Sequence, residues 1–210
     1  MPPLDRTASP TPLSRLLCRA REIGFAYPGH ALFAGLSFDL GSGLTLLRGG
    51  DGRGKTTLLR LIAGEIAPTG GRIERDAAPV FFELPADAAH DDVLVRDWLA
   101  ARQQRFGGWR ADIAADLIEG FGLAEHIDKP MYMLSTGSRR KAGLVAAAAS
   151  QAALTLVDMP YAALDAPSSR LLSRLLADAA AQAKRAWVIA DHERPAALAG
   201  LRLSVIDLGD

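Results

Sequence analysis

The chain has 210 residues, 49% of them apolar and only 6% aromatic, with 24 basic and 24 acidic side chains. That length suits one well-packed domain with room for a small added lobe, and the balanced charge argues against DNA, RNA or an anionic membrane surface as a general partner. The single cysteine, Cys18, cannot form an internal disulfide; a reducing compartment fits, and Cys18 reads as a small apolar filler.

The opening segment "MPPLDRTASPTPLSRLL" lacks the apolar core of a secretion signal. Its Pro, Ser and Thr predict a flexible tail over 1–17, ahead of a single domain over 18–210. No stretch approaches the ~20 apolar residues needed to cross a bilayer, so a cytoplasmic location is expected. After the tail, "LLCRAREIGFAY" and "LFAGLSFDL" predict two strands joined at "PGH". "GLTLLRGG" is a short buried strand entering a glycine loop, and "KTTLLRLIAGEI" is a helix that stops near Gly64 and Pro68. "GRIERD" and "APVFFEL" predict further strands. Between about residues 86 and 140 apolar residues recur at helical spacing, as in "VLVRDWLAARQQRF" and "ADIAADLIEGFGL". This predicts a small helical insertion, packed by Trp98 and Trp109. Helices at "SRRKAGLVAAAASQ" and "SSRLLSRLLADAAAQA" then alternate with strands at "ALTLVD", "RAWVIAD" and "LSVIDL". That alternation implies an α/β fold whose parallel sheet is covered on both faces.

The segment "GGDGRGKTT" carries the chemistry. Gly49, Gly54, Lys55 and Thr56 fit G-x-x-x-x-G-K-[ST], with a strand before and a helix after. Glycines let the backbone curl so that successive N–H groups surround phosphate oxygens, and the positive end of the following helix points at the same place. Lys55 can reach the β and γ phosphates, and the Thr56 hydroxyl can ligate Mg²⁺. The expected nucleotide-binding stretch is Gly49, Gly50, Asp51, Gly52, Arg53, Gly54, Lys55, Thr56 and Thr57, and the expected ligands are ATP and Mg²⁺.

Other segments narrow the class. "MLSTGSRRKAGLVAAAA" resembles the signature motif of the ABC ATPases through Leu134, Ser135 and Gly137, with Thr136 and Ser138 where that family usually has Gly and Gln. "LTLVD" resembles its Walker B strand, "YAALD" with Asp165 its D-loop, "WVIADH" its switch-histidine segment ending at His192, and "FAYPGHALFAGLSFDL" the segment whose aromatic residue, here Tyr27, stacks on adenine. The wording around the glycine loop looks most like the ATP-binding subunits of haem exporters in cytochrome c maturation.

The resemblance implies a P-loop NTPase fold of ABC type, with an N-terminal β subdomain and a small inserted helical subdomain. It implies ATP, Mg²⁺ held by Thr56 and Asp158, and His192 against the γ-phosphate. It also implies a homo- or heterodimer in which Ser135 and Gly137 face the opposite nucleotide, and membrane-spanning partners that would place the chain on the inner face of the cell membrane. Taken singly, Tyr27 could be a packing residue, His192 an ordinary half-buried histidine, "LSTGSRRK" a helix start capped by Ser135 or Ser138, and "SRRK" a solvated basic face.

The sequence departs from the family where water would be activated. Asp158 is followed by Met159 instead of the glutamate held to polarise the attacking water, and a thioether cannot take a proton. The family's Q-loop glutamine is absent, with Glu83 at the approximate position; a carboxylate cannot donate the amide hydrogen bond. Asp191, Asp165 and Glu83 are the carboxylates that could substitute. Hydrolysis is therefore expected to be slow or to depend on a partner. The alternative is a regulatory or assembly module that binds ATP and dimerises without productive turnover.

Overall fold

The computed structural model describes residues 15–75, 79–82 and 88–209. Two long strands open the chain, β1 (Leu16–Tyr27) and β2 (His30–Gly41), paired antiparallel across the Pro28-Gly29 turn so that Tyr27 faces His30. β4 (Gly70–Arg75) pairs antiparallel on the other side of β1. The order in this sheet is β2-β1-β4. β1 starts at Leu16 and buries Leu17, so the last residues of the expected tail belong to the sheet; residues 1–14 lie outside the described ones.

The second sheet is parallel. β3 (Gly43–Arg48), β5 (Val80–Phe82), β6 (Leu154–Asp158), β7 (Ala186–Asp191) and β8 (Ser204–Asp207) run in the order β5-β6-β7-β3-β8. Burial on both faces explains its near-continuous apolar runs. In β7, Ala186, Val188 and Ala190 enter one core while Trp187 and Ile189 enter the other, as the two-residue period of a strand requires.

On the first face lies α1 (Lys55–Ala63), whose Leu58, Leu59, Leu61 and Ile62 pack between the parallel sheet and the apolar side of β1 and β2. Cys18 is buried there, and burial pushes its thiol up to about 11, so it behaves as the apolar filler its sequence context suggests. On the second face lie α4 (Thr136–Ala149) and α5 (Ala166–Ala180). The helical insertion adds α2 (Val95–Arg105) and α3 (Ala111–Gly120), which contact α4. Trp98 is buried in this lobe with the Arg102 guanidinium 3.8 Å from its ring centroid, and Trp109 packs at its margin. The alanine run at the end of α4 is wholly buried, because small side chains let the helix lie close to its neighbours. α4 continues to Ala149, so it runs beyond the expected end of the insertion near residue 140 and ties that lobe to the parallel sheet.

Among the described residues no helix is long and apolar enough to cross a membrane.

Leu156 sits fully buried at the middle of β6, two residues before Asp158. Leu156→Ala is expected to cost about 2–5 kcal/mol of stability through the cavity it leaves, read as a lower urea midpoint with an unchanged slope.

Candidate nucleotide-binding site

Strand register assembles the site. Arg48 lies opposite Asp191, and Asp158 lies opposite Ala190. The chain therefore leaves β3, β6 and β7 at one carboxyl edge, where open α/β sheets bind their ligands. The loop after β3 curls into α1 through Gly54, whose φ of 85° is left-handed. A Cβ there would also meet the Phe33 ring at 2.7 Å, so the position needs glycine on both counts.

Lys55 is buried, and its Nζ donates to the carbonyls of Gly49 (2.7 Å) and Gly50 (2.9 Å). His192 Nδ1 lies 3.5 Å from the same ammonium, and His192 Nε2 lies 3.6 Å from the Asp51 carboxylate. The switch-histidine candidate and the loop lysine thus occupy one spot although 137 positions separate them. Tyr27, 44% exposed, ends β1 with its hydroxyl 3.2 Å from Thr57 Oγ1 and its ring edge-on to Phe25. It is anchored at the start of α1 with a substantial part of its surface free, a posture suited to stacking.

Thr56 Oγ1 donates to Asp158 Oδ2 at 2.5 Å. The other carboxylate oxygen, Oδ1, is buried without a hydrogen-bond partner among the described residues. A buried, unsatisfied carboxylate oxygen is costly, and a hard cation between it and the Thr56 hydroxyl would satisfy it. The donor set is all oxygen, as Mg²⁺ prefers. Among the described residues no group of three or more His, Cys, Asp or Glu side chains could hold a metal alone, so phosphate oxygens would have to complete the coordination. The residues fit the ion.

Met159 follows with φ 47°, an uncommon backbone for a non-glycine residue. Its N–H donates to Ala190 O (2.9 Å), and its carbonyl accepts from Ala162 N (3.1 Å) and from an Arg140 guanidinium nitrogen (2.6 Å). Two of the three carboxylates that could substitute, Asp191 and Asp165, have hydrogen-bond partners of their own. Asp191 accepts from the His192 backbone N–H (2.8 Å). Asp165 caps α5 by accepting from Ser168 N–H (2.8 Å) and pairs with Lys141 Nζ (2.7 Å). The Lys141 ammonium, and then the Ser168 donors, hold Asp165 well below the usual carboxylate range, which makes it a poor base. Glu83 lies outside the described residues.

Ser135 is the N-cap of α4 and accepts from the Ser138 N–H at 3.1 Å, with the two hydroxyls 3.0 Å apart. Of the two capping residues the sequence allowed, Ser135 is the one used. Leu134 is buried, while Thr136 and Gly137 open the helix. A Cβ on Gly137 would approach the Ala163 carbonyl to 2.4 Å, so only glycine lets this helix start lie against the segment after β6.

The "SRRK" run is not the solvated basic face its composition suggested. Arg139 pairs with Asp91 (2.6 Å), Arg140 reaches Met159 and Lys141 reaches Asp165. Sequence reasoning also missed the brace from the far end of the chain, where Gly50 N–H donates to Gly209 O (3.0 Å). Nothing in the local pattern at 204–209 announces that contact, which follows from β8 pairing beside β3.

With this geometry in hand, the comparisons are specific. The ABC transporter family profile matches residues 33–162. The chain belongs to the ABC transporter ATP-binding family. It is 35% identical over 189 residues to the cytochrome c biogenesis ATP-binding export protein CcmA of Novosphingobium aromaticivorans, covering 89% of this chain and 94% of that protein. It is 35% identical over 159 residues to the protein of the same name in Rhodopseudomonas palustris, covering 71% and 79%. It is also 33% identical over 175 residues to the taurine import ATP-binding protein TauB of Pseudomonas entomophila, covering 76% and 67%. Among solved structures, a Pyrococcus furiosus protein described as an ABC transporter ATP-binding protein superposes with a TM-score of 0.73 at 20% identity, covering 91% of this chain and 96% of that one. These relatives are transporter components, and none of them speaks for the free-standing regulatory module.

Because the Asp165 carboxyl is lowered by its partners, its pairing stabilises the fold above the ordinary carboxylate value of about 4 and is lost as pH falls through the lower folded value. Lys141→Met is therefore expected to lower the urea midpoint at pH 7, and the gap from the parent protein should narrow in titrations taken below pH ~4.

Proposed function

We propose that this chain is the ATP-binding subunit of an ABC transporter that takes up ATP with Mg²⁺ and, by itself, hydrolyses it slowly. The observation that carries the reading is the meeting of Lys55, Thr56, Asp158 and His192 at one sheet edge, with Met159 at the position next to the metal-holding carboxylate. The backbone amides of Gly49 to Thr57 and the Lys55 ammonium would hold the phosphates once the lysine exchanges its carbonyl partners for phosphate oxygens. Tyr27 would stack on the adenine, and His192 would contact the γ-phosphate. Thr56 and Asp158 would hold Mg²⁺, which when bound neutralises charge on the phosphate oxygens.

Lys55 of the glycine loop is held by the Gly49 and Gly50 carbonyls, and Ser135 of the signature is held by Ser138, so each is organised by its own neighbours. This supports a two-subunit arrangement in which Ser135 and Gly137 of one copy serve the nucleotide of another. In a homodimer both sites would lack the water-polarising glutamate. In a heterodimer with a glutamate-bearing subunit, this chain's signature would serve the competent site. The near end-to-end similarity to cytochrome c biogenesis export proteins favours a membrane partner of that export class.

The experiment is a pair of measurements, ATP affinity and ATPase rate, on the parent protein and on Met159→Glu. Because Arg140 holds the Met159 carbonyl and not its side chain, the turn should persist in the variant. The expected outcome is micromolar-range binding in both and turnover that rises by about 10²-fold or more in Met159→Glu, matching the value of a positioned base. Parent turnover on the order of 1 s⁻¹ or faster would overturn the slow-hydrolysis reading, and absence of ATP binding would overturn the whole.

A further inference from the structure

The ladder between β3 and β8 does not stop where the strands do. Its last strand pair is Arg48 with Asp207. Beyond it, Leu208 N–H donates to the Arg48 carbonyl (2.8 Å) and Gly50 N–H donates to the Gly209 carbonyl (3.0 Å). The segment after β8 is thus laid against the first residues of the glycine loop, and Asp207 holds it there. The Asp207 carboxylate pairs with the Arg48 guanidinium, and its Oδ1 accepts the Gly209 N–H (2.9 Å). Gly209 has a φ of 84°, a left-handed backbone that glycine adopts without strain.

The bond to Gly209 fixes more than one atom. Gly50 N–H and the Gly49 carbonyl belong to one planar trans peptide and point in opposite directions. With the N–H turned outward to Gly209, the carbonyl is turned to the other side, where it accepts from Lys55 Nζ (2.7 Å). The Gly209 carbonyl and the Lys55 ammonium therefore grip the same peptide from its two ends. Glycine on both sides gives that peptide little resistance of its own to turning over, and a turned peptide would present an N–H to the ammonium in place of an oxygen. The outer side is closely packed, since a Cβ on Gly49 would come within 3.1 Å of Leu208 Cβ and 3.2 Å of the Gly209 carbonyl.

We infer that residues 207–209 are a strap that sets the phosphate loop. Gly209 is a positioning residue whose carbonyl keeps the peptide between Gly49 and Gly50 facing Lys55, and Asp207 keeps Gly209 in place. The strap strengthens polyphosphate binding because the loop and its rotamer-rich lysine are ordered before the ligand arrives. The inference rests on the reading of residues 49–57 as the site that takes ATP.

The test is calorimetry on the full chain, at a temperature where every variant is folded, with ATP–Mg²⁺ and with inorganic tripolyphosphate, which has neither base nor ribose. A Cβ at Gly209 meets nothing within 4 Å, so substitutions there act through the backbone. Gly209→Val cannot hold a φ of 84° without strain, whereas Gly209→Asn tolerates it. Gly209→Val and Asp207→Ala are expected to weaken both ligands by the same factor, about three- to tenfold, and Gly209→Asn to stay within about twofold of the parent. A segment that only stabilises the fold would lower the urea midpoint and leave both affinities at the parent value, and that result overturns the inference. Weakening of ATP alone, with tripolyphosphate unchanged, overturns it as well. Hydrogen exchange on the nucleotide-free parent needs no variant: the Gly50 amide is expected to exchange at least about tenfold more slowly than an unstructured one, and exchange at the unstructured rate overturns the strap. Those failures leave the ATP reading standing, whereas a parent that does not bind ATP overturns that reading and the inference with it.

Discussion

Parallel pairing between distant strands is the constraint on which the rest of this molecule depends. β3 and β6 never touch; β7 lies between them and sets the level of both. Since Arg48 pairs with Asp191 and Asp158 with Ala190, the glycine loop, the metal-fitting carboxylate and His192 emerge at one height on one edge. A shift of one residue in either ladder would turn the buried side chains of a strand to the wrong face, and the two cores on opposite faces of the sheet make that prohibitively unfavourable. The hydrophobic effect that fixes the register therefore also fixes the distance from Lys55 to His192.

A second layer of organisation comes from α4. Its first turns face the segment 158–165, and the contacts are of three kinds. Gly137 comes into close approach with a carbonyl, Arg140 donates to another, and Lys141 forms an ion pair with the residue that caps α5. That segment contains two side-chain-bearing residues with positive φ, Met159 at 47° and Ala163 at 60°. The carbonyls they display inward are the ones that α4 meets. The signature and the region after the metal-fitting carboxylate are consequently one mechanical unit within this subunit.

Much of this was legible in the sequence, for physical reasons that differ by element. The loop at Gly49–Thr56 is local: a buried strand, permissive backbone and a helix start declare the structure within a few residues, and the structure agrees. Elements read from periodicity, such as α2, α3 and β7, were equally visible, because burial leaves a pattern of period 3.6 or 2. The partners of Arg139, Arg140 and Lys141 were not visible, since a basic run looks the same whether water or buried carbonyls receive it. The Gly50 to Gly209 bond was likewise hidden, as only sheet order brings those positions together. β1 was legible at its observed bounds, Leu16–Tyr27, from the segment "LLCRAREIGFAY"; only the tail boundary at 17, drawn from the prolines and serines ahead of it, overlapped the strand.

The way Lys55 is held gives the loop a resting state of its own. Its ammonium is already engaged by two carbonyls of the loop it serves and has an imidazole nitrogen alongside. An arriving phosphate thus offers no new partner to a free charge; it replaces partners the lysine already has. For a phosphate to win that exchange it has to engage the lysine and several loop N–H groups together. The demand for many simultaneous contacts is thus set by the backbone of the loop, and the lysine side chain only enforces it.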